Sequence, residues 1–169
     1  AAERVEASNT RRIVRALEVI EITGRPFSAS LPRYEDIAPT VHIALRCERR
    51  LLDKRINERA RAMFDGGLVE EVEALIDQGI REGETAPRAI GYAQALAVID
   101  GTMSVPEAVD STALATRQLA SRQIKWFRRD PRLHWIDVAL TEAGQCTDSE
   151  RSRLTRQAWE LVCARRGVA

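Results

Sequence analysis

The sequence predicts an α/β fold, predominantly helical, built around a small parallel sheet that is part of a larger core. Two short apolar runs carry that expectation: residues 41–46 (VHIALR), alternating and β-branched, and 133–137 (LHWID), each followed by helix. The long stretch between them has helical periodicity. An isolated pair of strands is marginal in water, so these two are expected to share a sheet with further strands outside this chain.

The elements follow in order. Residues 9–23 read as a helix with Ile13, Leu17 and Ile20 at helical spacing, a start capped by Ser8 or Asn9, and a stop at Gly24 and Pro26. The Pro- and Ser-rich stretch TGRPFSASLPRYEDIAPT is a linking loop. After the first strand, a helix over 48–64 buries Leu52, Ile56, Ala60 and Met63 and ends at Gly66-Gly67. The next, 68–78, buries Val72, Leu75 and Ile76 and stops at Gly79. Pro87 opens a helix reaching Ile99, and Asp100-Gly101 closes it. Ser104 caps a helix that takes Pro106 in its first turn and runs to Arg128. The second strand and a final amphipathic helix over 148–165 complete the order.

The chain has 169 residues, 44% hydrophobic and 30% charged, a globular balance that excludes intrinsic disorder. No apolar run approaches the roughly 20 residues of a membrane span. The opening AAERVEASNT lacks a starting Met and the features of a signal peptide, so an internal start point is expected. Cys47, Cys146 and Cys163 are far apart and form no C-x-x-C pair, which fits a reduced cytoplasm. His42 and His134 stand in no ligand-like spacing, so no metal site is expected from this chain, and a half-buried His beside a strand is the plainer reading. Net charge is near zero, but it is unevenly spread: residues 117–132 hold six basic groups and one acid, while 65–84 hold seven acids and one Arg.

Four constellations can carry chemistry. In T-R-R-I-V-R, Arg11 and Arg15 share a helix face beside Arg12, either gripping phosphate or pairing with Glu18 or Glu3. In L-L-D-K-R-I-N-E-R-A-R, Arg55 and Arg59 stand one turn apart, able to hold a diphosphate or to pair with Glu58 or Asp53. In R-A-I-G-Y-A-Q, Gly91 permits a close backbone approach beside Tyr92, with Arg88 and Gln94 as hydrogen-bonding groups; helix packing is the plainer alternative. In A-T-R-Q-L-A-S-R-Q-I-K-W-F-R-R, Leu119, Ala120, Ile124 and Phe127 are expected to bury. The remaining Arg, Lys and Gln side chains and Trp126 then offer phosphate neutralisation, base-edge hydrogen bonds and stacking, which suits an irregular RNA loop. No G-x-x-x-x-G-K-[ST] loop, G-x-G-x-x-G or G-x-S-x-G is present in this sequence.

These four motifs, in this order and spacing over residues 1–137, closely resemble the tRNA dimethylallyltransferases, also called tRNA isopentenyltransferases. The resemblance implies the C-terminal part of a P-loop NTPase-like core with the remnant of a helical insertion domain. Residues 1–30 would be the end of the insertion and its return helix, 41–137 the C-terminal half of the transferase core, and 138–169 a C-terminal helix to which nothing is carried over. The implied reaction moves a dimethylallyl group from dimethylallyl diphosphate to N6 of adenosine 37 in the tRNA anticodon loop, with Mg2+ assisting from ligands mainly outside this chain, and diphosphate leaving. The base is flipped from its stack to be reached. The implied setting is cytoplasmic, the implied state a monomer.

Residue by residue, Arg11, Arg12, Ile13, Val14 and Arg15 match a segment that lies against tRNA. Arg88, Ala89, Ile90, Gly91, Tyr92 and Ala93 match a second contact, with Ala93 departing from the Arg or Lys often found there. Ser121, Arg122, Gln123, Ile124, Lys125, Trp126, Phe127 and Arg128 match a third. Arg59, with Arg55 as the alternative, resembles the Arg that holds diphosphate. The family's phosphate loop and the Asp that acts as general base have no counterpart in this sequence, so the chain alone is expected to be inactive. Two other readings stay open: a non-catalytic RNA-binding fragment, and a transferase that prenylates an adenine nucleotide.

Overall fold

The computed structural model describes residues 10–25 and 34–166, except the side chains of Arg11, Arg12 and Arg166. The expected caps Ser8 and Asn9, and Pro26, lie outside the described residues. The chain divides into two units, Ala1–Ile37 and Ala38–Ala169. In the first, α1 (Thr10–Thr23) leaves Leu17 and Ile20 exposed and Ile13 half-buried, and Gly24 bonds back to Ile20 O at its end.

The second unit is mostly helical with one small sheet. Strands β1 (His42–Cys47) and β2 (Leu133–Val138) are parallel neighbours, with Ala44 opposite Trp135 and Arg46 opposite Asp137. Parallel pairing was expected, since the intervening helices supply the crossover. Between the strands run α2 (Arg49–Asp65), α3 (Leu68–Ala74), α4 (Tyr92–Ile99) and α5 (Val105–Phe127); α6 (Asp148–Arg166) follows β2.

Phe64, Leu68, Val72, Ile80, Ala95, Leu96 and Ala108 form the main core where the end of α2, α3, α4 and the start of α5 meet. A smaller cluster, Ile56, Ala60 and Ala113, joins α2 to α5, with alanines allowing close approach of the two helices. Helices α2 and α5 run antiparallel: Arg49 reaches Ser121 at one end, and Asn57 accepts from Arg117 further along. Ser104 caps α5 through a reciprocal box with Glu107, and Pro106 sits in the first turn, as the sequence indicates.

Three expectations are corrected. Helix α3 ends at Ala74, and turns carry the chain through Gln78 to Gly79. Pro87 lies in a short 3-10 segment, Ala86–Arg88, and α4 begins only at Tyr92. The break is Gly91, whose φ of 100° is outside helical geometry and where a Cβ would come within 3.3 Å of Met63 Cε. Leu119 and Phe127 are exposed, 38% and 44%, rather than buried. Leu119 stands one residue off the inward stripe of α5, and Phe127 runs past the start of α2, whose Arg49 already reaches Ser121.

Helix α6 is pinned to β2 by charge-assisted bonds. Glu150 Oε1 accepts from Ala139 N at 2.7 Å, and Arg153 Nη2 donates to Asp137 O at 2.6 Å and to Glu150 Oε1 at 2.7 Å. On the sheet, Arg46 grips Asp137 with two bonds, 2.6 and 2.9 Å. The Arg153 guanidinium, then the Ala139 amide, hold the Glu150 carboxyl down from 4.5 to about 2. Arg132 does the same to Asp130, from 3.8 to about 2.

A carboxyl whose folded pKa is lowered contributes stability above its ordinary pKa and loses it as pH falls through the folded value. Thermal melts are therefore expected to weaken as pH falls from 4.5 toward about 2, with Glu150→Gln less stable at neutral pH and showing a smaller acid-induced drop. An undiminished drop in the variant would contradict this role. Gly91→Ala is expected to cost about 1–3 kcal/mol in urea unfolding, because alanine there meets both a strained φ and Met63; an unchanged midpoint would refute it.

Candidate functional site

Helix α2 and the loop after β2 enclose a surface depression of about 380 Å³, lined by Arg55, Glu58, Arg59, Ala62, residues 143–146 and Arg151. Arg55 and Arg59 fall on this side because Ile56 and Ala60, one position further on, are drawn into the contact with α5. The loop is fastened to α2 at several points. Lys54 Nζ donates to Glu142 O at 2.6 Å, Arg50 holds the Glu142 carboxylate at 3.0 Å, and Arg55 Nη1 donates to Gly144 O at 3.4 Å.

The alternatives left open for these two arginines resolve differently from a helix ion pair. Asp53 is taken by Arg49 at 2.8 Å, and Arg59 makes no hydrogen bond or ion pair among the described residues. An exposed, unpaired guanidinium facing a concavity can take an anion without first breaking a bond. Cys146 lines the same depression, and Cys47 is pushed up by burial, opposed by the charge of Arg55.

The end of α5 is the second basic region. Arg122, Lys125, Arg128 and Arg129 are exposed, and their side chains make no hydrogen bond or ion pair among the described residues. Trp126 is 62% exposed among them, Phe127 and Gln123 are exposed as well, and Ile124 is half-buried. Exposed aromatics beside free cations supply stacking and phosphate contact together. Ser121 differs: its Oγ accepts from Arg49 at 2.7 Å and donates to Arg117 O at 3.0 Å, so it holds α5 to α2.

The R-A-I-G-Y-A-Q motif is largely committed to packing. What approaches Gly91 is the protein's own Met63 and Leu68; Tyr92 donates its hydroxyl to Glu71, which together with burial raises the phenol pKa. Gln94 accepts from Gly91 N at 2.8 Å, and Ile90 and Ala93 are half-buried. Arg88 and Ala89 are exposed, and the Arg88 side chain has no partner among the described residues. In α1, considered by itself, Val14 is exposed and Arg15 pairs with Glu18 at 3.2 Å. The side chains of Arg11 and Arg12 lie outside the described residues.

Residues 143–146 and Arg151 escaped the sequence reading. The usable hint was Gly144 a few residues after a parallel strand, since open α/β sheets place ligands beyond the carboxyl ends of their strands. Among the described residues, no group of three or more His, Cys, Asp or Glu could hold a metal ion, and no helix is long and apolar enough to cross a membrane.

Residues 1–130 match the family model described as IPP transferase. The tRNA dimethylallyltransferase of Streptomyces avermitilis is 52% identical over 148 residues, covering 86% of this chain and 47% of the relative. That of Pseudarthrobacter chlorophenolicus is 53% identical over 151 residues, covering 86% and 50%. The solved full-length tRNA isopentenylpyrophosphate transferase of Bacillus halodurans matches with a TM-score of 0.65 and 30% identity over 99% of this chain and 50% of that one. The chain spans about half the length of the curated relatives it matches.

The division of cations into bonded and free groups sets a stability test. Lys125→Ala and Arg128→Ala are each expected to stay within about 0.5 kcal/mol of the parent in urea unfolding. Arg49→Ala is expected to cost about 1 kcal/mol or more, because its guanidinium holds Asp53, Ser121 and the Arg117 carbonyl. Equal losses at all three positions would show the division to be wrong.

Proposed function

Because the chain belongs to the IPP transferase family, we propose that it is the C-terminal half of a tRNA dimethylallyltransferase. The reaction transfers a dimethylallyl group from dimethylallyl diphosphate to N6 of adenosine 37 in the tRNA anticodon loop. The observation that carries this reading is the segregation of unpaired cations: Arg59 sits in a concavity beside Arg55, and the Arg122 to Arg129 group surrounds exposed Trp126. The first arrangement suits a small, highly charged anion; the second suits a flexible ribose-phosphate strand.

Chemically, the adenosine N6 forms a bond to C1 of the allyl group as the C1–O bond to diphosphate breaks. The N6 proton passes to a base outside this chain, and the electron pair of the broken bond leaves with diphosphate. Negative charge therefore grows on the diphosphate oxygens, where Arg59 and Arg55 contribute stabilisation that increases toward the transition state. The tRNA is held by Arg122, Lys125 and Arg128 through phosphates and by Trp126 through stacking, with Arg88 and the start of α1 as further contacts. Mg2+ assists in this reading from ligands mainly outside this chain, since the described residues contain no group of three or more His, Cys, Asp or Glu that could hold it. The two strands belong, in the same reading, to a P-loop NTPase-like core of a cytoplasmic, monomeric enzyme.

In the full-length protein, Arg59→Ala is expected to lower turnover roughly 10²–10³-fold, with little change in tRNA affinity. Lys125→Ala is expected to weaken tRNA binding and to reduce the slope of log affinity against log salt by about 1. The 169-residue chain alone is expected to transfer no prenyl group to anticodon-loop RNA. An Arg59→Ala variant altered only in tRNA affinity would overturn the assignment.

A further inference from the structure

We infer that Arg151, in the first turn of α6, is a third diphosphate-binding guanidinium, and that the loop after β2 is one wall of that site rather than a mere connection. The inference rests on the reading of Arg59 as a diphosphate ligand and extends it to a part of the chain for which neither the motifs nor the family match, which ends at residue 130, supplies a role.

Arg55 and Arg59 line the depression from α2 and Arg151 lines it from α6, so two elements contribute arginines to one concavity. Glu58 is the acid among its lining residues, which leaves the lining with an excess of positive charge. The concavity follows the carboxyl end of β2, where parallel sheets place their ligands.

The pairing state of each guanidinium matters equally. Arg59 is unpaired among the described residues, and Arg55 makes only the 3.4 Å bond to Gly144 O. Arg151 pairs with Asp148 at 3.0 Å, one turn back on the same helix, and that carboxylate is 94% exposed. Such a pair is screened by water and readily exchanged for a multiply charged diphosphate, to which a guanidinium offers two parallel donors. Arg153, two positions on, is by contrast locked to Glu150 and to Asp137 O, and so does not compete for the ligand.

Gly144 sets the width of the site. Its φ is 70°, and a Cβ there would lie 3.2 Å from Arg55 Cβ and 3.3 Å from Leu51 O. The absent side chain lets the loop lie directly on α2, bringing the start of α6 within reach of the anion that Arg55 and Arg59 hold.

The test is calorimetric titration of the chain with inorganic pyrophosphate, with circular dichroism verifying the helical fold of each variant. Arg59→Ala and Arg151→Gln are each expected to weaken binding about tenfold, Arg151→Lys less, and Arg81→Ala, which removes only an ion pair with Asp100, not at all. Pyrophosphate is also expected to slow alkylation of Cys146, which lines the depression, and Arg151→Gln to remove that protection. If Arg59→Ala weakens binding while Arg151→Gln leaves both affinity and protection unchanged, the inference fails and the diphosphate reading of α2 stands. If neither substitution matters, or the chain binds no pyrophosphate, both fail.

Discussion

Helix α2 is held from two sides, and the remaining geometry of the second unit depends on that constraint. One side packs Ile56 and Ala60 against Ala113 of α5; the other receives the loop after β2, with Gly144 against Leu51 and Arg55. The helix cannot rotate to satisfy one partner without losing the other. Arg55 and Arg59 are thereby aimed into the depression, and the antiparallel course of α5 carries its basic end past the first turn of α2. The two contacts of α2 together determine where both groups of cations lie.

The arginines of this protein divide by what they touch. Arg46, Arg49, Arg50, Arg132 and Arg153 are bonded to acids or carbonyls that join separate stretches of chain or close a turn. Exposed pairs of this kind contribute about 0–1 kcal/mol each, so they serve mainly to fix register between elements already packed. Arg59, Arg122, Arg128 and Arg129 have no such side-chain partner among the described residues and lie at a concavity or beside exposed aromatics; Arg88 is unpaired without either. Abundance of arginine is uninformative, because both kinds look alike in composition. Bonding is what separates a structural guanidinium from one available to a phosphate.

Much of the architecture was legible beforehand, for identifiable reasons. The strand at 41–46 announced itself through alternation and β-branched residues, that at 133–137 as a short apolar run, and their parallel pairing followed from the helices between them. Ser104 and Pro106 marked the start of α5 because capping chemistry is local. Less legible was the segment around Gly91. A glycine at positive φ and a glycine inside a helix leave the same letter in the sequence, and here the conformation was dictated by Met63 and Leu68 packing against it. The outward placement of Leu119 and Phe127 was hidden for a related reason: periodicity marks a helix face but not the length over which a partner helix covers it.

The sequence by itself determined the element types, the internal separation of acidic and basic stretches, and four ordered motifs pointing to one family, since these depend on residues close together in the chain. Tertiary structure alone decided which cations are free and that residues 143–146 and Arg151 line one depression with Arg55 and Arg59. Those outcomes depend on contacts between segments some ninety positions apart, such as Lys54 with the Glu142 carbonyl at a separation of 88. No local pattern encodes such a contact; it arises when burial of Ile56, Ala60 and Ala113 and the pairing of two strands bring distant side chains to a common surface.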